Sequence, residues 1–478
     1  MPKKPRSQRR NKKGGSDADV DDNGGDELPE DYTIAGSATS AVSGWDGDDD
    51  NNNNDEDQDN DDLIGNVSER GMLAAAAREA KLRDALALLD EFASEKRSAT
   101  RESRLRRIFK ALTQYVTGYA STEIVLGFED QLRAACLYSL RAGSSSEMYA
   151  ACRVLEATAV VFQGDQDEWI STIEKQLHRT VQITSRAAVV RAAALRAWSM
   201  SVFIGASEVE MTHALLDVLE DVAQTTYRNE VVPPTLRATA IDCWTLLATT
   251  LSEYAVAGND DVSNGRGLTL LPLLKDCLEN EGSPDLRSSA GECVALIHEC
   301  RIQLKDDSAE NTTEKKYQQA SWEGTDWEVI MDEISQRVSE LAVQSGHHMS
   351  KKAKKAQRAT FREFQATIVD DEFPEEAVSM RNEGSLTLTS WAEIVRLGFI
   401  RSSLQSGFQV QLMTNDTMQL MFGVQGGVKA DGLSSLEKRL LMSKASDAAK
   451  EADMKLTKNR DKRERVKNHF LTVDGDDL

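Results

Sequence analysis

Apolar residues recur three and four positions apart from Ser68 onward, the spacing that places them on one face of an α-helix. Gly, Asn or Pro interrupts this pattern roughly every 15 to 20 residues, as expected where helices end. Strand signals are nearly absent before residue 305. The pattern predicts helices over residues 68–94, 99–117, 129–142, 147–162, 168–183, 186–204, 208–226, 235–256, 268–279 and 285–304.

A similar phrase returns within four of these helices. An apolar residue is followed by Arg, then by small residues and a bulky apolar patch. The copies are QLRAACLYSL, VRAAALRAWSM, TLRATAIDCWTLL and DLRSSAGECVALI, and the last two steps between them are 45 and 50 residues. These steps are close to the roughly 40 to 47 residues of a HEAT or armadillo repeat. We therefore predict a mainly α fold with an armadillo/HEAT-like helical solenoid over residues 66–304. An irregular helical bundle is the alternative, because no strict consensus repeats.

The pattern changes after residue 304. Residues 305–326 are polar and poor in helix formers, which predicts a linker. Residues 327–428 are expected to form a continuation helix and a small α+β domain. Its predicted helices cover 327–343, 350–362, 390–404 and 415–422, and its candidate strands lie around 364–369, 385–388 and 408–412. Residues 429–478 are predicted to contain a long C-terminal helix, because 434–470 hold neither Gly nor Pro.

Charge is sharply sorted along this acidic chain, whose formal net charge is −22. The first 13 residues carry seven basic side chains and no acid, whereas residues 17–62 carry 18 acids and no base. A stretch such as DDDNNNNDEDQDNDD has nothing apolar to bury, so residues 1–65 are expected to be disordered. The basic start is typical of a nuclear-import signal or of a basic arm.

The sequence offers no catalytic centre. It contains no phosphate-binding P-loop, no nucleophile elbow and no dinucleotide fingerprint. Cys293, His298 and Cys300 share one predicted helix, but a zinc site needs four ligands and nothing nearby completes the set. We therefore expect no enzymatic activity, no cofactor, no metal and no small-molecule substrate.

Composition also indicates where the protein works. No apolar run follows the basic start, and no stretch of 18 apolar residues is present, so neither a signal peptide nor a membrane partner is expected. The six cysteines lack paired spacing, which favours reduced thiols over disulfides. Both observations favour a cytoplasmic and nuclear location.

A basic stripe is predicted on the helix at residues 350–362, whose sequence SKKAKKAQRATFR has six basic side chains and no acid. At 100° per residue, four of these side chains fall on one narrow stripe, where mutual repulsion is destabilising unless an anion relieves it. The stripe predicts an RNA-binding face, and a solvated helix face is the alternative. Its residues are Lys351, Lys355, Arg358 and Arg362.

A second basic cluster, KLTKNRDKRERVK, occupies residues 455–467, with seven basic side chains against two acids. Its part of the predicted C-terminal helix has no apolar face, so we expect it to become ordered only on a partner. Nucleic acid is the leading candidate, because each neutralised phosphate releases counterions. An unstructured solubilising tail is the alternative. The predicted RNA-binding residues are Lys455, Lys458, Arg460, Lys462, Arg463, Arg465 and Lys467.

Several phrases resemble the interferon-related developmental regulator family over about residues 65–470. They are SRLRRIFKALTQYVTG, SKKAKKAQRATFREFQATI, SWAEIVRLGFIRSSLQSGFQVQLMTNDTMQLMFG and the basic close KLTKNRDKRERVK. The resemblance implies an armadillo-like domain joined to a family-specific C-terminal domain, without enzymatic activity. It also implies binding to ribosomes that are not translating, with a C-terminal helix in RNA-lined space. The chain departs from the family at Gln411, where animal members tend to have His.

Two hypotheses follow. In the first, the protein is a non-enzymatic scaffold that binds inactive ribosomes through the basic stripe and the basic C-terminal helix, while the solenoid surface binds proteins. In the alternative, the protein is a nuclear transcriptional co-regulator whose helical-repeat groove binds chromatin-modifying complexes. A flexible basic helix that folds on binding favours RNA.

Overall fold

A computed structural model describes residues 67–258, 265–280, 282–310, 326–343, 351–380 and 384–424. The helices of the array are α1 Val67–Leu86, α2 Ser98–Tyr115, α3 Tyr119–Leu126, α4 Glu129–Ala142, α5 Ser145–Phe162, α6 Asp167–Gln182, α7 Ala188–Gly205, α8 Val209–Ala223, α9 Pro234–Ala248, α10 Glu253–Ala257, α11 Arg266–Leu278, α12 Pro284–Glu310, α13 Asp326–Val343 and α14 Lys351–Ile368. Helices α15 Trp391–Leu404, α16 Phe408–Thr414 and α17 Asp416–Met421 follow. The strands are β1 Thr226–Tyr227, β2 Glu230–Val231, β3 Glu376–Met380 and β4 Gly384–Leu388, which form two antiparallel hairpins, β1–β2 and β3–β4.

The helices form a two-layered solenoid, as the sequence predicted. Helices α2, α5, α7, α9, α12 and α14 pack successively against one another and make an inner row. Helices α1, α4, α6, α8, α11 and α13 each pack on one member of that row from outside. Helix α7 is long and apolar enough to cross a membrane, but 78% of it is buried inside this array, which is usual for a core helix.

The arginine of the repeated phrase has one recurring task in three inner helices. Arg191 donates from Nε to the carbonyl of Val181 at 2.9 Å, and Arg237 donates from Nε to the carbonyl of Ala223 at 2.7 Å. Arg287 donates from Nη1 to the carbonyl of Asn280 at 2.5 Å. Each acceptor lies at the C-terminal end of the preceding outer helix, where carbonyls lack helical partners and a cation is favourable.

The first copy of the phrase does not share this task. It lies on the outer helix α4, where Arg133 pairs with Glu129 at 3.2 Å. The regular steps of 45 and 50 residues therefore connect inner helices, and the longer first step connects an outer helix to an inner one.

The chain then returns along the inner row. Helix α15 packs on α12, α9 and α5, and α16 packs on α2, so the last described elements run backwards across the array. Leu397, Ile400 and Leu404 of α15 are fully buried and belong to the same hydrophobic core as the repeats. The inner surface between α2 and α12 is therefore occupied by the protein's own C-terminal elements, and the groove assumed in the co-regulator hypothesis is already filled there.

Some local predictions were wrong. Residues 364–368 continue helix α14, and residues 408–412 lie in helix α16, although both were predicted as strands. Of the three candidate strands only the one around 385–388 is present, paired with the unpredicted strand β3. The helix predicted over 235–256 is divided into α9 and α10, and α3 was missed. Helix α12 continues to Glu310, so the first residues of the predicted linker are helical, while 311–325 lie outside the described residues.

A buried charge cluster holds the C-terminal end of α15. Arg153 on α5 donates from Nη2 to the carbonyls of Ser402 and Ser403, at 3.1 and 2.6 Å. Arg196 on α7 donates to the hydroxyl of Ser402 at 2.5 Å. Glu156 lies between the two arginines, pairing with both, and is 1% exposed. Burial alone would raise the pKa of Glu156, but the two guanidinium groups hold it below its ordinary value, so the carboxylate is ionised.

An acidic side chain holds the opposite end of α15. The carboxylate of Glu299 on α12 accepts the backbone N–H of Trp391 at 2.9 Å. This residue begins α15, where N–H groups lack helical partners. Glu299 is 1% exposed, and burial raises its pKa to about 7 although the N–H groups of Trp391 and Ala392 oppose the shift. Both ends of the returning helix therefore meet charges of the sign that its dipole favours.

Replacement of Glu156 tests the buried cluster. We expect Glu156→Ala to lower the free energy of unfolding by about 3–5 kcal/mol, because two buried guanidinium groups lose their counter-charge. Glu340→Ala is the matched control, since Glu340 also pairs with an arginine three residues away, Arg337, at 3.0 Å but is 48% exposed. Its loss should cost much less, because solvent screens an exposed ion pair. Urea denaturation measures both values, and equal effects would contradict the role given to the cluster.

The pH dependence of stability tests Glu299. Its pKa lies at about 7 in the folded protein against an ordinary 4.5, so its stabilising contribution is complete below pH 4.5 and is lost as the pH rises through 7. Glu299→Gln keeps an oxygen for the N–H of Trp391 but does not titrate. We expect the variant to gain about 2 kcal/mol relative to the parent between pH 5 and 8. Asp242, whose pKa burial also raises to about 7, is common to both proteins. Parallel stability curves would refute the expectation.

Candidate nucleic-acid interface

Helix α14 is anchored by one aromatic face. Phe361 and Phe364 are fully buried, with ring centroids 5.3 Å apart, and Phe364 lies 5.4 Å from the ring of Trp391. A Cβ on Gly291 of α12 would lie 2.6 Å from the Phe364 ring, so the glycine allows the close approach of the two helices. The indole of Trp391 donates to the hydroxyl of Thr367 at 2.8 Å. These contacts fix the rotation of α14 about its axis.

With this rotation, the described residues of the predicted stripe lie on the side of α14 that faces away from the aromatic contacts. Lys355 and Arg362 are exposed and Arg358 is half-buried, with its Nε donating to the carbonyl of Lys354 at 3.3 Å. Lys351 is the first residue of the helix. Within the described parts of the chain, Lys355, Arg358 and Arg362 make no ion pair. The stripe is therefore a set of cations on one side of a rigid helix.

The placement of these cations is unfavourable for the helix itself. The first turn of α14 contains no acidic residue, and four lysines fall within the first five positions. The helix dipole is positive at this end, so cations here are destabilising by a few tenths of a kcal/mol each, and like charges three or four residues apart add to the effect. This unfavourable placement favours a role outside the fold.

The second predicted cluster, at residues 455–467, lies outside the described residues. The described chain ends at residue 424, 31 residues before this cluster begins. Gln411 on α16 donates to the carbonyl of Val116 at 2.8 Å, and Asn415 donates to the carbonyl of Val160 at 2.9 Å. These bonds fix the last described elements against the ends of α2 and α5. They also give Gln411 a structural role, as the anchor of α16 at the C-terminal end of α2.

The described residues do not form a metal site. No group of three or more His, Cys, Asp or Glu side chains that could hold an ion occurs in the described parts of the chain. Cys293 is buried, and burial raises the pKa of its thiol, which disfavours the reactive thiolate. His298 instead pairs with Asp371 at 2.7 Å.

One basic surface was missed by sequence reasoning. Arg107 and Lys110 on α2 are exposed, and neither forms an ion pair with a described residue. The segment around them, from Arg97 to Lys110, contains six basic residues and one acid, Glu102. The phrase SRLRRIFK had carried only a family resemblance, although its charge excess is the signal that could have identified the surface.

The fold and these surfaces define a helical-repeat protein with basic faces. Comparison with known proteins is more specific. The family model "Interferon-related developmental regulator (IFRD)" matches residues 47–369. Since this match covers more than half of the chain, the protein belongs to that family of regulators.

Curated relatives agree with this assignment. Interferon-related developmental regulator 1 of Mus musculus is 24% identical over 386 residues, covering 77% of this chain and 78% of the relative. The human protein of the same name is 23% identical over 393 residues, covering 79% and 80%. Interferon-related developmental regulator 2 of Mus musculus is 24% identical over 387 residues, covering 77% and 80%.

Neutralising the exposed part of the stripe tests whether it serves the fold. We expect Lys355→Gln combined with Arg362→Gln to leave the free energy of unfolding unchanged or to raise it by up to about 1 kcal/mol, because repulsion and the dipole penalty are relieved. Arg101→Gln is the contrasting variant, since it breaks a buried ion pair with Glu147 at 2.7 Å and should cost about 3 kcal/mol or more. A stripe variant less stable by over 1 kcal/mol would indicate a structural role.

Proposed function

We propose that this protein is a non-enzymatic regulator that binds translationally inactive ribosomes by contacting their RNA. In this proposal the stripe of Lys351, Lys355, Arg358 and Arg362 binds phosphates on one side of α14. The cluster at residues 455–467 forms the basic half of a C-terminal helix that becomes ordered on RNA. Protein partners contact the outer helices of the solenoid.

The observation that carries the proposal is the stripe itself. Its described cations, Lys355, Arg358 and Arg362, are held on a rigid helix and make no ion pair with a described residue. Polyanions are the partners that relieve such a stripe, because each phosphate contact releases condensed counterions. The length of the stripe, twelve residues that span about 16 Å of helix, corresponds to several successive phosphates rather than to a single small anion. Membership of a regulator family agrees with a binding role.

The alternative, a nuclear co-regulator with partners in the repeat groove, has less support. Helices α15 to α17 occupy the inner surface between α2 and α12. A chromatin-modifying complex would therefore have to use the outer helices or displace α15, whose Leu397, Ile400 and Leu404 are fully buried.

Sedimentation of cell lysate on a sucrose gradient tests the proposal. We expect the full chain to appear with ribosomal particles, and Lys355→Gln combined with Arg362→Gln to shift toward the free fractions. Truncation after Thr457 should shift it further, because most of the basic cluster is lost. With purified RNA, each lost phosphate contact should lower the slope of log affinity against log salt by about 0.7–0.9.

Lys175→Gln combined with Arg179→Gln is the matched control. These two exposed residues on α6 carry the same charge and lie far from α14 along the array, so their loss should change neither sedimentation nor the salt slope. A full chain that stays with free proteins refutes ribosome binding. Equal shifts for the stripe variant and the control would mean that sedimentation depends on net charge and not on the stripe.

A further inference from the structure

The basic face of α2 is the starting point. Arg107 and Lys110 lie one turn apart on the exposed side of α2, and neither makes an ion pair among the described residues. Arg106 on the same side already pairs with Glu102 at 2.8 Å. The proposed RNA contacts on α14 and at residues 455–467 do not include this face. It is thus an unpartnered cationic surface at the first helix pair of the array.

An acidic segment of the same chain, close to α1 in the sequence, is the occupant that best matches the charge of this face. Residues 46–62 carry ten acidic side chains and no base. This acidic segment ends five residues before Val67, where α1 begins. Because α1 packs on α2, the segment is tethered to the helix that lies beside the one carrying the basic face. A short tether holds a linked partner at an effective concentration in the millimolar range, far above that of a free competitor.

The number of residues between each acid and Val67 decides which acids can reach the basic face. Lys81 lies over the ring of Tyr115 at 5.8 Å, and Arg104 on α2 contacts the carbonyl of Leu88 beyond the end of α1, so α1 and α2 run antiparallel. From Val67 to Lys81 is about 21 Å of helix, and from Tyr115 back to Lys110 about 8 Å more. The separation of about 30 Å requires roughly nine extended residues.

Seven acidic residues lie far enough before Val67 in the sequence to span this distance, and three lie too close to Val67. Asp57 lies ten residues before Val67, whereas Asp59 lies eight before it. The acids that can reach the basic face are Asp46, Asp48, Asp49, Asp50, Asp55, Glu56 and Asp57. The acidic residues that lie too close to Val67 to reach the basic face are Asp59, Asp61 and Asp62.

We propose that residues 46–57 dock on Arg107 and Lys110 of the same chain and shield this face from other polyanions. The contact consists of exposed ion pairs, so it is individually weak, sensitive to salt and easily exchanged. Docking itself does not require RNA. Its regulatory consequence, that RNA must displace the acidic segment to use this face, rests on the proposed function.

Zero-length cross-linking of the full chain tests the docking directly. A carbodiimide joins an amine to a carboxylate only when the two are in contact, and mass spectrometry locates the product. We expect Lys110 to link to residues 46–57 at low salt, and the product to disappear at about 0.5 M NaCl, where the Debye length is only a few ångströms. A mixture of light and heavy-isotope protein should give links within single chains only.

Two variants of equal charge change are the matched pair. Asp48→Asn, Asp49→Asn and Asp50→Asn together should reduce the Lys110 links at least twofold, whereas Asp59→Asn, Asp61→Asn and Asp62→Asn should leave them unchanged. Lys175 serves as a reference amine that should give no such links. The absence of Lys110 links at low salt, equal reductions in the two variants or links between light and heavy chains would each overturn the proposal.

An RNA titration separates this inference from the proposed function. With a single-stranded uridine oligomer, the Asp48/Asp49/Asp50 variant should bind about two- to fivefold more tightly than the Asp59/Asp61/Asp62 variant, because only the first frees the α2 face. Arg107→Gln combined with Lys110→Gln should remove that difference. Absence of all RNA binding would refute the proposed function while the cross-links stand. RNA binding that is equal in the two variants would refute the shielding.

Discussion

The structure depends on the fixing of helix α15 in the inner surface of the solenoid by polar side chains that hydrogen-bond to its two ends. Glu299 accepts a terminal N–H at the beginning of the helix, while Arg153 donates to its last carbonyls. The order of these charges along the inner row matches the helix dipole, so the opposite orientation would place like charges together. Because Glu156 pairs with both arginines within the core, the same contacts that orient α15 also leave neither guanidinium group without an anionic partner.

This arrangement determines which surfaces remain for partners. In many repeat arrays the concave side binds other molecules, but here the inner row between α2 and α12 serves the chain's own C-terminal elements. The unpaired cations described above lie instead on the first and last inner helices, α2 and α14. The described cationic surfaces that remain open to partners thus lie at the two ends of the array.

Local pattern sufficed for the repeats because helical periodicity depends only on neighbouring residues. It failed at Phe364 and Ile368, whose aromatic and β-branched character favours strands but whose burial depends on Gly291 and Trp391, distant in the chain. The stripe was predictable because its spacing alone defines one helix face. The cluster at Glu156 was not, since Ser403 lies 247 residues away and a buried arginine resembles a surface one in sequence. Residues 455–467 stay a prediction.

The acidic body of the protein has a consequence for any polyanion that binds it. With a net charge of −22, the chain repels RNA at long range, yet screening at physiological ionic strength limits this repulsion to about 8 Å. The stripe on α14 is about twice that length, so attraction acts only after close approach and only where several phosphates align with the helix. Segregated charge of this kind disfavours indiscriminate binding to nucleic acid and favours a rigid RNA surface that meets both basic ends of the array.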